Sequence, residues 1–174
     1  MSELTHFIGG NHVKGTSGRF ADVFNPATGE AEKKVPLASA AELDAAVRNA
    51  AEAQPAWGAT NPQRRVRVMM KYVELLHRDM DKLAEALSRE HGKTLPDARG
   101  DVQRGLDVAE FTFGAPHLLK GEYNDNASAG IDLYSMRQPL GVVAGITPFN
   151  FPAMIPMWQF CPAIMAGNAF ILKP

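Results

Sequence analysis

Leu140-Gly141-Val142-Val143-Ala144-Gly145-Ile146, then Thr147-Pro148-Phe149-Asn150-Phe151-Pro152, and further on Ala169-Phe170-Ile171-Leu172-Lys173-Pro174 together decide the architecture of this chain. The first stretch is nearly all apolar, as a strand buried on both faces should be. The second is a rigid turn. Met154 to Ala166 is an apolar helical stretch ended by Gly167-Asn168, and Ala169 to Leu172 is again an apolar strand. Strand, helix and strand in this order make a βαβ unit, with parallel strands and a right-handed crossover. Pro162 lies within the predicted helix, where a kink or short break is expected. The closing Phe170-Ile171-Leu172-Lys173-Pro174 reads as the end of a buried strand, not as a tail.

Upstream the pattern differs. Phe7-Ile8-Gly9-Gly10-Asn11-His12-Val13 has apolar residues on both sides of a Gly-Gly-Asn turn, a hairpin signal. Phe20–Phe24 alternates, Asn25-Pro26-Ala27-Thr28-Gly29-Glu30 is a turn, and Val35-Pro36-Leu37 closes a second pairing. Ser39-Ala40-Ala41-Glu42 has capping-box spacing, and Leu43, Ala46, Val47 and Ala50 follow on one helix face, ending near Trp57 at Pro55 and Gly58. Asn61-Pro62 starts a long helix whose stripe is Val66, Met69, Met70, Val73, Leu76, Met80, Leu83 and Leu87, stopping at His91-Gly92. Arg64, Arg65 and Arg67 read as a solvated surface. A third helix runs from Thr94–Asp97 to about Phe113, with Ala98, Val102, Leu106 and Ala109 as its stripe. Gly100 and Gly105 lie inside it; each costs about 1 kcal/mol relative to Ala and marks close approach of another element. Gly114–Gly130 reads as a loop with a short apolar Leu118-Leu119, and Ile131–Arg137 as a strand stopped by Pro139.

Composition narrows the function. The 174 residues allow one ordinary domain, and 18 Lys and Arg against 19 Asp and Glu leave a net charge of −1. That balance argues against nucleic acid or a polybasic membrane surface as the main partner. A single Cys excludes an internal disulfide framework. His6, His12, His77, His91 and His117 lack ligand spacing, so no metal is expected. Met1-Ser2-Glu3-Leu4-Thr5-His6 carries no basic stretch followed by an apolar run, and no apolar run approaches a spanning length, so a soluble, cytoplasmic chain is expected.

In open parallel α/β sheets, ligands bind beyond the carboxyl ends of the strands. Thr147-Pro148-Phe149-Asn150 follows the first strand and Lys173 ends the second. They offer a carboxamide, a hydroxyl, backbone amides and an ammonium, a set suited to ribose and phosphate or to an oxygen gaining negative charge. The glycine-rich dinucleotide fingerprint is absent. On spacing alone, the plainer reading has Asn150 capping the next helix and Lys173 as an exposed strand-end lysine.

Five segments in order (Phe7–Gly10, Asn25–Glu30, Gln138–Val143, Thr147–Pro152 and Gly167–Pro174) resemble the aldehyde dehydrogenase superfamily from end to end. Thr147–Pro152 together with Asp101-Val102-Gln103-Arg104-Gly105-Leu106-Asp107-Val108-Ala109-Glu110-Phe111 is similar to the CoA-acylating methylmalonate-semialdehyde dehydrogenases. The resemblance implies an α/β fold: the N-terminal part of the aldehyde dehydrogenase fold, with hairpins, a helical segment and the first βαβ unit of a Rossmann-like sheet. It divides the chain into a hairpin and helical segment (1–130), a candidate oligomerisation strand (131–139) and a truncated βαβ unit (140–174).

The resemblance further implies NAD as cofactor, coenzyme A as co-substrate, a small aldehyde as substrate and a homo-oligomeric full-length parent. A cysteine attacks the aldehyde, hydride passes to NAD, and coenzyme A takes the resulting thioester. Asn150 matches the residue that holds the oxyanion; Thr147 and Phe149 match cofactor contacts; Lys173 matches the lysine that meets the adenosine ribose. Arg104 is the candidate partner for a substrate carboxylate, since a guanidinium places two donors against two oxygens, and Gly105 beside it leaves room. The catalytic cysteine belongs to a later segment of the family. Cys161 sits in an apolar helix and reads as packing, so the fragment alone is expected to be inactive. The alternatives are a non-catalytic truncated chain pairing with full-length subunits through Ile131–Arg137, and a non-acylating aldehyde dehydrogenase.

Overall fold

The computed structural model describes residues 2–174. The chain opens with short strands β1 (Ser2–Glu3), β2 (His6–Ile8), β3 (Asn11–Val13), β4 (Phe20–Phe24) and β5 (Ala31–Pro36). The expected hairpins form: β2 pairs antiparallel with β3, and β4 with β5. Sequence reading missed β1, which adds parallel to β5. The α-helices among the described residues are α1 (Ala40–Gly58), α2 (Pro62–Arg78), α3 (Met80–His91), α4 (Leu95–Phe111), α5 (Ala115–Leu118) and, later in the chain, α6 (Met154–Met165). The remaining strands are β6 (Tyr123–Ser128), β7 (Ile131–Tyr134), β8 (Val142–Ile146) and β9 (Ala169–Lys173).

The capping box at α1 is present in full. Ser39 accepts the Glu42 amide, and Glu42 reaches back to the Ser39 amide. Glu42 also accepts the Thr16 amide at 2.6 Å, which ties α1 to the opening strands. These backbone donors, with Ser39 foremost, hold the Glu42 carboxyl at about 2, well below its ordinary 4.5. The helix runs through Pro55 to Gly58, and no α1 residue is fully buried. Its expected apolar face is accordingly only half covered, with Leu43 and Val47 exposed.

The long second helix of the sequence reading is two helices. The backbone leaves helical geometry at Asp79, whose carboxylate is taken by Arg78 and Lys82. The stripe divides with it: Val66, Met69, Val73, Leu76 and Leu87 are core, whereas Met70 and Leu83 are exposed. Arg65 overturns the solvated reading of its cluster, being only 4% exposed. Its guanidinium donates to the carbonyls of Gly58, Thr60 and Met165. Two of these lie at the ends of α1 and α6, where a helix leaves carbonyls without intrahelical partners.

The α4 stripe is as expected: Ala98, Val102, Leu106 and Ala109 are all buried. Gly105 does mark a close approach, because a Cβ there would collide with the Met157 methyl and come within 2.9 Å of its sulfur. Gly100 does not; a Cβ there would meet only Arg104 Nη1, at 3.8 Å. The core is thus helical, formed by α2, α3 and α4 with Met157, Cys161 and Met165 of α6.

Gly114–Gly130 is not a plain loop. It contains the short helix α5 and strand β6, which pairs antiparallel with β7. Every residue of both strands is exposed, so neither burial nor alternation could announce β6. Tyr123 Oη and the Asn126 amide both donate to Asp132, and together they hold the hairpin.

The βαβ unit forms as read, with β8 parallel to β9. Two expectations fail in detail. Helix α6 continues through Pro162, so of the expected kink or short break the break is absent. The strands are also not buried on both faces: Ala144 and Ile146 are exposed, because a two-stranded sheet flanked by α1 and α6 leaves part of its surface open. Among the described residues, no helix is long and apolar enough to cross a membrane.

Candidate active site at the ends of the parallel strands

The β8–β9 register places Ile146 beside Lys173. The Thr147 amide then donates to the Lys173 carbonyl at 3.1 Å, carrying the ladder one residue beyond β8. Thr147 is buried, and with its amide committed, its carbonyl and hydroxyl remain. Thr147 and Lys173, far apart in sequence, therefore share one edge. The Lys173 side chain is exposed, and its ammonium donates to the Pro174 carbonyl.

Beyond Thr147 the chain turns through residues 148–153 into α6. Phe149 is 88% exposed, and Asn150 is exposed beside it. Asn150 does not cap α6: the N-cap residue is Ala153, and no side chain caps that end locally. The capping explanation for Asn150 is thereby removed, leaving a carboxamide presented on an open turn. A cleft of about 500 Å³ opens here, lined by Glu90, His91, Thr147, Pro148, Phe149 and Pro174.

Arg104 stands apart from that cleft's lining. It is exposed on α4, one turn past Asp101, and its carbonyl accepts the Trp158 indole N–H at 3.3 Å. The room expected beside it at Gly105 is already filled by Met157.

The sequence reading missed two charged residues under the turn. Asp101 is fully buried on α4. One carboxylate oxygen pairs with Lys93 Nζ at 2.9 Å, and the other accepts the Met154 amide at 2.8 Å. Lys93 Nζ lies 4.1 Å from the centre of the Phe151 ring, a cation–π distance. A signal for Asp101 existed: it occupies a core-facing position between Ala98 and Gly105 at helical spacing, where a charge requires a partner.

Cys161 is fully buried, and burial pushes its thiol up to about 12. A thiol in that state supplies almost no thiolate near neutral pH. Among the described residues, no group of three or more His, Cys, Asp or Glu side chains is placed to hold a metal ion.

A family model for the aldehyde dehydrogenase family matches residues 12–174, nearly the whole chain. The chain belongs to the aldehyde dehydrogenase family. Its aldehyde dehydrogenase relatives include a malonate-semialdehyde dehydrogenase of Pseudomonas aeruginosa, 50% identical over all of this chain and 35% of that protein. An acylating mitochondrial methylmalonate-semialdehyde dehydrogenase of Arabidopsis thaliana is 53% identical over 98% of this chain and 28% of its own length. A Sinorhizobium meliloti structure, described as a methylmalonate-semialdehyde dehydrogenase complexed with NAD, matches with a TM-score of 0.97 at 64% identity. That match covers 99% of this chain and 35% of the solved one. The aldehyde dehydrogenase chain described here thus spans about a third of the length of these relatives, and its fold is that of the N-terminal part of the family's structures.

Proposed function

We propose that this chain is the N-terminal third of an NAD-dependent, CoA-acylating dehydrogenase that oxidises malonate or methylmalonate semialdehyde to an acyl-CoA. One observation carries the reading. In a member of this family, the parallel strands bring Thr147 and Lys173 to one edge, with the Asn150 carboxamide presented on the open turn that follows. The kinship with relatives named for these semialdehydes supports the substrate class.

The residues present fit a dinucleotide. The exposed Lys173 ammonium is a donor for ribose hydroxyls, Thr147 lines the cleft at the same strand edge, and the exposed Phe149 ring offers an apolar contact. When bound, NAD supplies the acceptor for the aldehyde hydride. Asn150 acts on the substrate. As a thiolate adds to the aldehyde carbon, the carbonyl oxygen becomes negative, and the Asn150 N–H₂ donates a hydrogen bond to it. A neutral amide serves here because it donates at any working pH without titrating. Cys161, whose sulfur is fully buried and whose pKa is raised by that burial, is not proposed as the nucleophile; the nucleophile is proposed to lie elsewhere in the enzyme. Coenzyme A then takes the acyl group from the thioester. Arg104 is proposed to meet the substrate's distal carboxylate, and the exposed β6–β7 hairpin to join subunits of a homo-oligomer.

The test is Asn150→Ala in the full-length enzyme. A loss of about 10²–10³ in kcat with KM for NAD unchanged is expected, as for removal of one oxyanion donor. Turnover at the wild-type rate would overturn the assignment of Asn150.

A further inference from the structure

We propose that Asp101, held by Lys93, is a positioning residue that anchors the Asn150 turn from below. The inference rests on the reading of Asn150 as the oxyanion donor.

The turn runs from Thr147 to Ala153, and the structure ties it at both ends. At the strand end, the Thr147 amide is held by the Lys173 carbonyl. At the helix end, α6 has no local side-chain cap, and its first amide is instead taken by Asp101, which reaches across from α4. A carboxylate at this position meets an orphan N–H and the positive end of the helix dipole together. Its second oxygen is occupied by Lys93, so the carboxylate cannot rotate without breaking an ion pair that is shut off from water. The same ammonium lies over the Phe151 ring, the residue next to Asn150. Lys93 is itself fixed. Gly92 ends α3 in the left-handed conformation at φ 84°, and Ser88 Oγ donates to the Lys93 carbonyl at 2.6 Å. One buried charge pair therefore grips the residue after Asn150 and the amide three residues beyond that. An oxyanion donor works only where its N–H is aimed before the reaction begins, and small displacements of such a group cost rate steeply.

Two double variants separate anchoring from mere burial of charge. Lys93→Met/Asp101→Asn removes both charges but keeps an acceptor for the Met154 amide. Lys93→Met/Asp101→Leu removes the charges and the acceptor together, replacing the buried ion pair by apolar side chains. Amide hydrogen exchange of residues 149–154 in this chain is expected to be about tenfold faster or more in the Leu variant than in the Asn variant, with α2 amides matching between them. In the full-length enzyme, the Leu variant is expected to lose about 10- to 100-fold in kcat relative to the Asn variant, with KM for NAD unchanged. Equal exchange in the two variants would overturn the anchor, and equal kcat would overturn its role in positioning. If Asn150→Ala retained full turnover, the oxyanion reading would fall, and the exchange comparison would still decide the anchor.

Discussion

Arginine appears in this molecule in two opposite settings. Arg65 is almost completely enclosed and satisfies three carbonyls, so its charge is spent on joining helix ends. Burial pulls its pKa down from the usual value, yet a guanidinium retains its proton throughout the working range. Arg104 is exposed on α4, with its fork open to solvent. Only a guanidinium of the second kind is placed to greet a ligand. Arg104→Ala in the full-length enzyme is expected to raise KM for carboxylate-bearing semialdehydes about tenfold or more and to spare propanal, since a charged hydrogen bond contributes about 1.5–3 kcal/mol. Steady-state kinetics on the two substrates checks it, and equal loss on both would count against a carboxylate contact. Sequence alone separated these arginines poorly. Arg64, Arg65 and Arg67 are near neighbours on one helix, and one carbonyl that receives Arg65 belongs to Met165, a hundred residues away.

Elements with local causes were legible in the sequence. The α1 capping box, the Asn61-Pro62 start of α2 and the α4 stripe each follow from residues a few positions apart, and each forms. The βαβ unit was legible because its apolar strands and helix are contiguous. What escaped lacked an apolar signal: β1 forms by adding to the distant β5, the break at Asp79 falls among charged neighbours, and β6 belongs to an exposed hairpin without apolar alternation. In the candidate site, Asn150, Thr147 and Lys173 are proposed from the family resemblance of their motifs, whereas Lys93 and Asp101 acquire meaning only once α3, α4 and α6 are packed together. The capping box carries its own pH signature. Glu42 titrates lower in the folded chain than in the unfolded one, so its contribution is complete above about 4.5 and fades as pH falls towards about 2. Glu42→Gln cannot titrate. Thermal melts across that window should show the wild type's advantage over Glu42→Gln shrinking as pH drops; parallel profiles would show that Glu42 contributes no such linkage.

At the scale of the whole molecule, the functional groups divide unevenly. The chain presents an exposed carboxamide and an open strand edge, but its one thiol is sealed inside the helical core. The purified 174-residue chain, supplied with methylmalonate semialdehyde, coenzyme A and NAD, is therefore expected to form no NADH above background. Sustained turnover abolished by Cys161→Ser would overturn this division of labour. The site also depends on construction at its opposite end. Asn168, where the chain leaves α6, accepts the amides of both Leu140 and Gly141 just before β8, and its own amide donates to the Ala163 carbonyl. Strands β8 and β9 thus start from one common mark, and each runs five residues to the cleft. That mark is the datum from which both rims are measured. A slip there would travel undiminished along the strands, setting Thr147 and Lys173 out of step and tilting a cleft that the altered residue never touches.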